Sequence, residues 1–368
     1  MVSKQRLLEN FLKMVQVDSP SSQEKPMADW LMSYLSSKGI EAKIDDAGEK
    51  YGGNTGNIIA YIPGKKGEMP LCFAAHMDQV SPCCGVKALV DGDIVRSDGT
   101  TTLGGDDKGG IAAILEALED VMEENAEHRD IYLLFTVSEE SGMWGAKHFN
   151  SENLPCKDII VVDAGGPTGA IAYKAPAQMK VKATFHGKKA HAGLEPEKGI
   201  NAIAVAAEAI SKMRIGRIDA ETTSNIGRIE GGGATNVVTD EVYFTAEIRA
   251  HEPARLAEEL SYMEKCCNEA AEAKGASCTF HSEKSYPSFS LDMESTLFAM
   301  TVKAHEDAGV KPEPMIIGGG SDANILAGYG YRSAIISLGI TDAHTVNESL
   351  DIEECRKAAV VCSNLMKL

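Results

Sequence analysis

The chain has 368 residues, 43% hydrophobic and 24% charged, with a net charge of -18. That length exceeds one ordinary core and suits two domains. The charge argues against nucleic acid or an anionic membrane as a partner, and no apolar run approaches the roughly 20 residues of a transmembrane helix. The N-terminus mixes charge among its apolar residues, unlike the continuous apolar core of a signal peptide. The nine cysteines include no C-x-x-C pair. Free thiols in a reducing cytoplasm are therefore expected.

Leu7, Leu8, Phe11, Leu12 and Val15 put an apolar face on a helix over 3–16. Ser21-x-x-Glu24 reads as a capping box for a second helix. That helix carries Met27, Trp30, Leu31, Tyr34 and Leu35 at helical spacing, with Gly39 as its stop. Strands are predicted at 41–46, 57–62 and 71–75.

The third of these runs into His76-Met77-Asp78. Along an extended chain His76 and Asp78 point to one side. A carboxylate so placed can take the ring N–H that a metal does not use. A surface His–Asp hydrogen bond would give the same pattern. Next comes Leu103-Gly-Gly-Asp-Asp-Lys-Gly-Gly110, leading into the helical run Ile111–Leu118. Its glycines allow close backbone approach, but it lacks phosphate-loop spacing. Asp106 and Asp107 also stand where an anion would sit, so a cation site is the better reading.

Ile131–Val137 is an apolar strand that ends in Ser138-Glu139-Glu140-Ser141-Gly142. Two carboxylates in a low-dielectric cleft repel. A bound cation removes that conflict, with one acid as ligand and its neighbour free to move protons. Two exposed charges at a strand end remain the plain alternative for this stretch alone. After a short helix near 144–149, the strand Ile159–Val162 leads to Asp163. His76, Asp106, Glu140 and Asp163 thus all follow apolar strands or sit at strand-to-helix turns. In open α/β sheets such ends converge on the ligand crevice.

From residue 178 the texture changes. A strand at 179–185 precedes a loop with His186 and His191, then an Ala-rich helix at 199–213. Strands at 225–229 and 237–249, a helix at 254–273 and a strand at 277–282 follow. The order strand–helix–strand–strand–helix–strand fits an inserted α+β, ferredoxin-like module. It divides the chain into a discontinuous catalytic domain, 1–177 and 287–368, and an inserted domain, 178–286. The remainder reads as a helix at 292–309, a strand at 313–317, Gly318-Gly-Gly-Ser-Asp-Ala-Asn324, a strand at 333–338 and a last helix at 351–367. His344 again follows a strand and is a further candidate ligand.

The ordered set is HMD at 76–78, GGDDKGG at 104–110, SEESG at 138–142, VVDAG at 161–165, KKAHAG at 188–193, GGGATNVV at 231–238, EIR at 247–249, GGGSDAN at 318–324 and AHT at 343–345. It resembles the co-catalytic zinc peptidases of the aminoacylase/carboxypeptidase G2/peptidase T superfamily, and most closely the peptidase T-like group. The resemblance implies an α/β fold: a catalytic domain with a mixed sheet flanked by helices, and an inserted lid or dimerisation domain. It implies two divalent metal ions per subunit, zinc first, with cobalt or manganese as replacements. Asp106 would bridge them, Glu140 and His344 would complete one site, and His76 and Asp163 the other. Glu139 would be the general base and Asp78 the carboxylate behind His76. The Asp106–Asp107 link is expected to be cis. His191 resembles the histidine that holds the substrate carbonyl or oxyanion, and Asn236 and Arg249 match positions that contact the substrate's carboxylate end. The resemblance also implies a homodimer through the inserted domain, with His191 serving the partner subunit's site.

The implied activity is hydrolysis of short peptides from the N-terminus. A carboxypeptidase or a deacylase of N-acyl-amino acids on the same scaffold is the alternative. Tripeptide-cleaving relatives carry an arginine just before Gly-Gly-[Ser/Thr]-Asp, where this chain has Gly318, so a guanidinium is missing there. Glutamyl-aminopeptidase-like enzymes insert their extra domain between the first histidine and the bridging aspartate, unlike this chain. A non-catalytic binding scaffold would have lost a ligand or the base, yet all six of these positions are filled.

Overall fold

The structure is a computed structural model describing residues 1–65 and 67–368. The first stretch carries α1 (Lys4–Val15), α2 (Lys25–Ser37), β1 (Ala42–Ile44), α3 (Ala47–Tyr51), β2 (Ile58–Ile62), β3 (Leu71–His76), β4 (Ala88–Asp91), β5 (Ile94–Ser97), α4 (Gly105–Glu123), β6 (Ile131–Thr136), α5 (Trp144–Lys147), β7 (Asp158–Gly165) and β8 (Ala170–Ala175). The inserted stretch holds β9 (Ala177–His186), α6 (Ala202–Lys212), β10 (Gly216–Asp219), β11 (Thr222–Gly231), β12 (Glu241–Ala250), α7 (Pro253–Ala273) and β13 (Ser277–Tyr286). The last comprises β14 (Phe289–Ser290), α8 (Thr296–Asp307), β15 (Glu313–Ile316), α9 (Asp322–Gly328), β16 (Arg332–Thr341), β17 (Ser349–Asp351) and α10 (Ile352–Lys367).

These elements form two compact units, Met1–Tyr173 with Ser290–Ile316 and Ser321–Leu368, and Lys174–Phe289 with Ile317–Gly320. The first is built on a mixed sheet whose main path runs β1-β2-β6-β3-β7-β16-β17-β5-β4. At its centre β6, β3, β7 and β16 are mutually parallel neighbours. Their side chains are buried along most of each strand, as expected of parallel strands covered on both faces. This bears out the α/β reading of the sequence.

The helix α4 is buried almost throughout, because it packs on β3 and β7 and also against α1 and α10. A Cβ on its Gly110 would lie 2.0 Å from Val162 O. Only glycine lets the helix come so close to β7. Leu7, Phe11, Phe73, Ile111, Phe135, Leu338 and Val361 belong to the core of this unit.

The second unit has its own core, including Val181, Phe185, Val242, Phe244, Ile248 and Met263. Its five strands run in the order β10-β11-β12-β9-β13, every pair antiparallel. The alternation along β9 and β12 turns Val181, Ala183, Phe185, Val242, Phe244 and Ile248 inward. Without β10 this is the ferredoxin-like order expected from the sequence. The added strand β10 pairs with β11 through a tight turn, where Asp219 Oδ1 accepts from Glu221 N at 3.0 Å. Ile317–Gly320 is tied to this unit by Arg249 Nη1, which donates to Gly318 O at 3.1 Å, and by His251 Nε2, 2.9 Å from Ile317 O.

Other expectations need correction. Ser21 and Glu24 do not form a capping box: Glu24 is the N-cap of α2 without a side-chain cap bond, and both side chains are engaged elsewhere. The hairpin β4–β5, to which no sequence expectation attaches, turns through Asp91-Gly92-Asp93, with Gly92 at φ +59°. Gly231–Asp240 is mostly loop, so the strand expected at 237–249 begins at Glu241.

Candidate metal centre

The parallel strands β3, β6, β7 and β16 deliver their C-terminal ends to one edge of the sheet. His76 closes β3, Asp163 lies near the end of β7, and Glu139 and Glu140 follow β6. His344 sits in the turn between β16 and β17. Asp106 lies at the entry to α4, after Gly104 at φ +82°, and its bond to Asp107 is cis. Ser138 and His344 adopt left-handed backbone, at φ 52° and 65°. A non-glycine residue pays about 1–2 kcal/mol for this conformation, which concentrates where a site is over-determined by its surroundings.

The side chains converge. His76 Nε2 is 2.9 Å from Asp106 Oδ1 and 3.7 Å from Asp163 Oδ1. His344 Nε2 is 3.2 Å from Asp106 Oδ2 and 2.9 Å from Glu140 Oε1. The two oxygens of Asp106 therefore face two different imidazoles. Glu140 Oε1 is buried yet accepts no aligned hydrogen bond, although His344 Nε2 is close. Glu140 Oε1 and His344 Nε2 thus crowd together without aiming at one another, as donor atoms arranged around a common point do. His76, Asp106 and Glu140 offer donor atoms all within 4.8 Å of one another, as do His76, Asp107 and Asp163.

Electrostatics give the same picture. Burial raises the carboxyls of Glu139, Asp163 and Asp107 well above the carboxylate range, and neighbouring acids add to the rise. Burial also raises Glu140. Burial would raise Asp106 too, but His344 and His76 hold it below its usual value. The carboxylates of Asp106 and Glu140 push the His344 ring up to about 10. Burial opposes the charging of His76, yet Asp106 and Asp78 raise it well above its usual value. A cluster in which acids outnumber histidines, and the histidines hold protons in compensation, is one that a divalent cation would neutralise. The donor set of imidazole and carboxylate suits zinc, cobalt or manganese.

Asp78 is placed somewhat differently from expectation. His76 Nδ1 is 3.1 Å from Asp78 O and 3.4 Å from Asp78 Oδ1. The carboxylate accepts Glu139 N at 2.9 Å, Glu140 N at 3.2 Å and Ser21 Oγ at 2.6 Å. The carboxylate thus orients the Glu139-Glu140 turn, whereas the hydrogen-bond partner of the ring is the Asp78 carbonyl and not the carboxylate expected from the sequence.

Residues 72–368 match peptidase family M20/M25/M40. The chain belongs to this family. It is 42% identical to the uncharacterized protein YqjE of Bacillus subtilis, over 98% of this chain and 97% of that protein. The crystal structure of aminopeptidase PepT from Bacillus cereus is similar at 37% identity and a TM-score of 0.95, covering 100% of this chain and 98% of that one. A tripeptidase from Staphylococcus aureus matches at 36% identity and a TM-score of 0.97, with the same coverage. Among the described residues, no helix is long and apolar enough to cross a membrane.

His191, Asn236 and Arg249 lie in the second unit. There His191 pairs with Val237 in an isolated bridge, and Ala192 N donates to Asn236 O at 2.9 Å. The two loops, distant in sequence, are thus one structure in this family member. Arg249 lies farther along β12 and donates through Nε to Glu247 Oε1 at 2.9 Å.

Sequence reasoning missed several supporting groups. Glu24 Oε1 accepts Ser22 N, Ser138 N and Ser138 Oγ at 2.8, 2.9 and 2.7 Å, fixing the turn before Glu139. Asp107 accepts His76 N and Gly110 N, each at 3.1 Å. Asp322 is buried and accepts Thr136 Oγ1 at 2.5 Å. Burial raises its carboxyl to about 6. Asp322 is the one acid of the GGGSDAN segment at 318–324, which is its signal in the sequence.

Proposed function

We propose that this M20-family peptidase is a two-metal aminopeptidase acting on short peptides. The observation that carries the reading is Asp106, whose two carboxylate oxygens face His76 on one side and His344 on the other. Asp106 would bridge two ions, with Glu140 and His344 completing one position and His76 and Asp163 the other. Zinc is the proposed metal, with cobalt or manganese able to replace it. When bound, two such ions polarise a carbonyl and lower the pKa of a water between them.

The chain's own residues supply the rest. Glu139 is buried and anchored through its N–H to Asp78. Its raised carboxyl suits it to take a proton near neutral pH and return it to the leaving amine. In the second unit, His191 Nδ1 accepts Gly193 N at 3.2 Å and Leu194 N at 3.1 Å. The proton must then reside on Nε2, which makes this exposed ring a donor suited to a carbonyl oxygen that gains charge. Asn236 and Arg249 are assigned to the substrate's carboxylate end. Arg249 Nη1 reaches Gly318 O, so a guanidinium lies beside the loop whose own arginine is missing. We further propose a cytoplasmic homodimer formed through the second unit, where β13 is an edge strand.

Gly318 also motivates the second reading, a carboxypeptidase or deacylase. Di- and tripeptides with free or acetylated N-termini separate the two, assayed after chelation and readdition of Zn²⁺, Mn²⁺ or Co²⁺. The aminopeptidase reading expects metal-dependent cleavage that acetylation abolishes. Cleavage that requires an acyl group overturns it.

A further inference from the structure

Glu348 takes no part in the site as read from the sequence, yet it is buried beneath it. Its Oε2 accepts Leu103 N at 2.7 Å and Gly104 N at 3.0 Å, and its Oε1 accepts Asp106 N at 2.8 Å. One carboxylate thus gathers three N–H groups of the loop that presents Asp106. Glu348 belongs to the turn that presents His344, and its own N–H donates to Thr345 O at 3.1 Å. The next residue opens β17, which is fixed on both sides by β16 and β5. Carboxylate and imidazole therefore ride on one short, anchored turn.

The loop approaches this carboxylate closely. A Cβ on Gly105 would lie 3.1 Å from Glu348 Oε1. Burial raises the Glu348 carboxyl, and the bonds from Asp106, Gly104 and Leu103 oppose that rise. A neutral amide could not replace it, because an amide has one acceptor oxygen and its NH₂ would face N–H donors. Without this link, the Asp106 backbone keeps only its local turns, and Asp106 Oδ2, 3.2 Å from His344 Nε2, is steadied only through the contact of Oδ1 with His76 Nε2 at 2.9 Å.

We propose that Glu348 is a positioning residue that sets the distance between Asp106 and His344, and with it the affinity of the metal position those two share. This rests on the two-metal reading above. The partner carboxylates of metal ligands typically change affinity 10–100-fold when altered. Here the effect falls mainly on one of two positions although Asp106 serves both, because His76 and Asp163 are held by β3 and β7 and Asp106 Oδ1 keeps its own contact with His76 Nε2 at 2.9 Å.

The test is calorimetric Co²⁺ titration of chelator-stripped protein, with the Co²⁺ absorption spectrum recorded alongside. Glu348→Gln is expected to weaken one of two bound equivalents by roughly 10–100-fold, leave the other near its wild-type affinity, and alter the spectrum of the weakened position. It is expected to add nothing further in a His344→Ala background and to show its full effect in an Asp163→Asn background. Wild-type affinities, equal weakening of both positions, or a full additional loss on top of His344→Ala would overturn the proposal. If Glu348→Gln fails to fold, Glu348→Asp keeps the charge with one methylene less reach. A smaller selective loss in that variant supports the proposal, and two wild-type affinities in it overturn the proposal. Wild-type protein that binds fewer than two ions overturns the two-metal reading and this inference together. Two ions in wild type with an unaffected Glu348→Gln overturn this inference alone.

Discussion

In the first unit His76, Asp106, Glu139, Glu140 and Asp163 are packed together with little access to solvent, and bonds from remote segments hold their backbone. In the second unit His191 and Asn236 are exposed, and the ring of His191 is fixed by N–H groups two and three residues away. The difference follows from charge. Acids that repel one another need a frame built from several parts of the chain. A single hydrogen-bond donor set apart from such a cluster needs only a local turn. Substitutions of the proposed ligands in the first unit should therefore alter metal binding as well as rate. Those in the second should alter kinetics alone.

The largest expected effect in the second unit comes from His191→Ala. Loss of one donor to a developing oxyanion typically lowers kcat about 10²–10³-fold, and the metal content should stay at two ions per chain. Steady-state kinetics beside metal analysis checks both. A variant that also loses metal would erase the distinction between the units.

A smaller effect concerns pH and the first unit. The His344 ring, raised to about 10 by Asp106 and Glu140, has an unfolded value near 6.5. Between these values the metal-free folded chain holds more protons than the unfolded one, so its stability falls as pH rises. The raised carboxyls of Glu139 and Asp163 act with the same sign from lower pH. Melting temperatures of stripped and Zn²⁺-loaded protein between pH 6.5 and 9.5 should diverge by a few degrees, with only the stripped form declining. Parallel curves would argue against a cation in this cluster.

Much of this was legible in the sequence, for a physical reason. Apolar runs ending in His76, Glu139, Glu140 and Asp163 mark buried strands, and strand ends in a parallel sheet converge. The ordered motifs supplied the family. The supports were harder to see. Glu348 meets Leu103 across 245 residues of chain, and Glu24 meets Ser138 across 114. Both bond to backbone N–H, which every residue type but proline offers, so no side-chain pattern marks the partner. Ser21 and Glu24 fit a local capping pattern, but their bonds to Asp78 and Ser138 were the ones formed. The Asp91-Gly92 pair did carry a hairpin signal. The extra strand β10 is only four residues long, with no clear alternation to announce it.

The central claim divides two adjacent acids, Glu140 as ligand and Glu139 as base. Glu139→Ala tests it most directly, with turnover of a free tripeptide and bound Co²⁺ measured on one preparation. The account predicts a fall in kcat of about 10²–10⁴-fold with two ions still bound. Wild-type turnover in that variant, or loss of an ion together with activity, would contradict it.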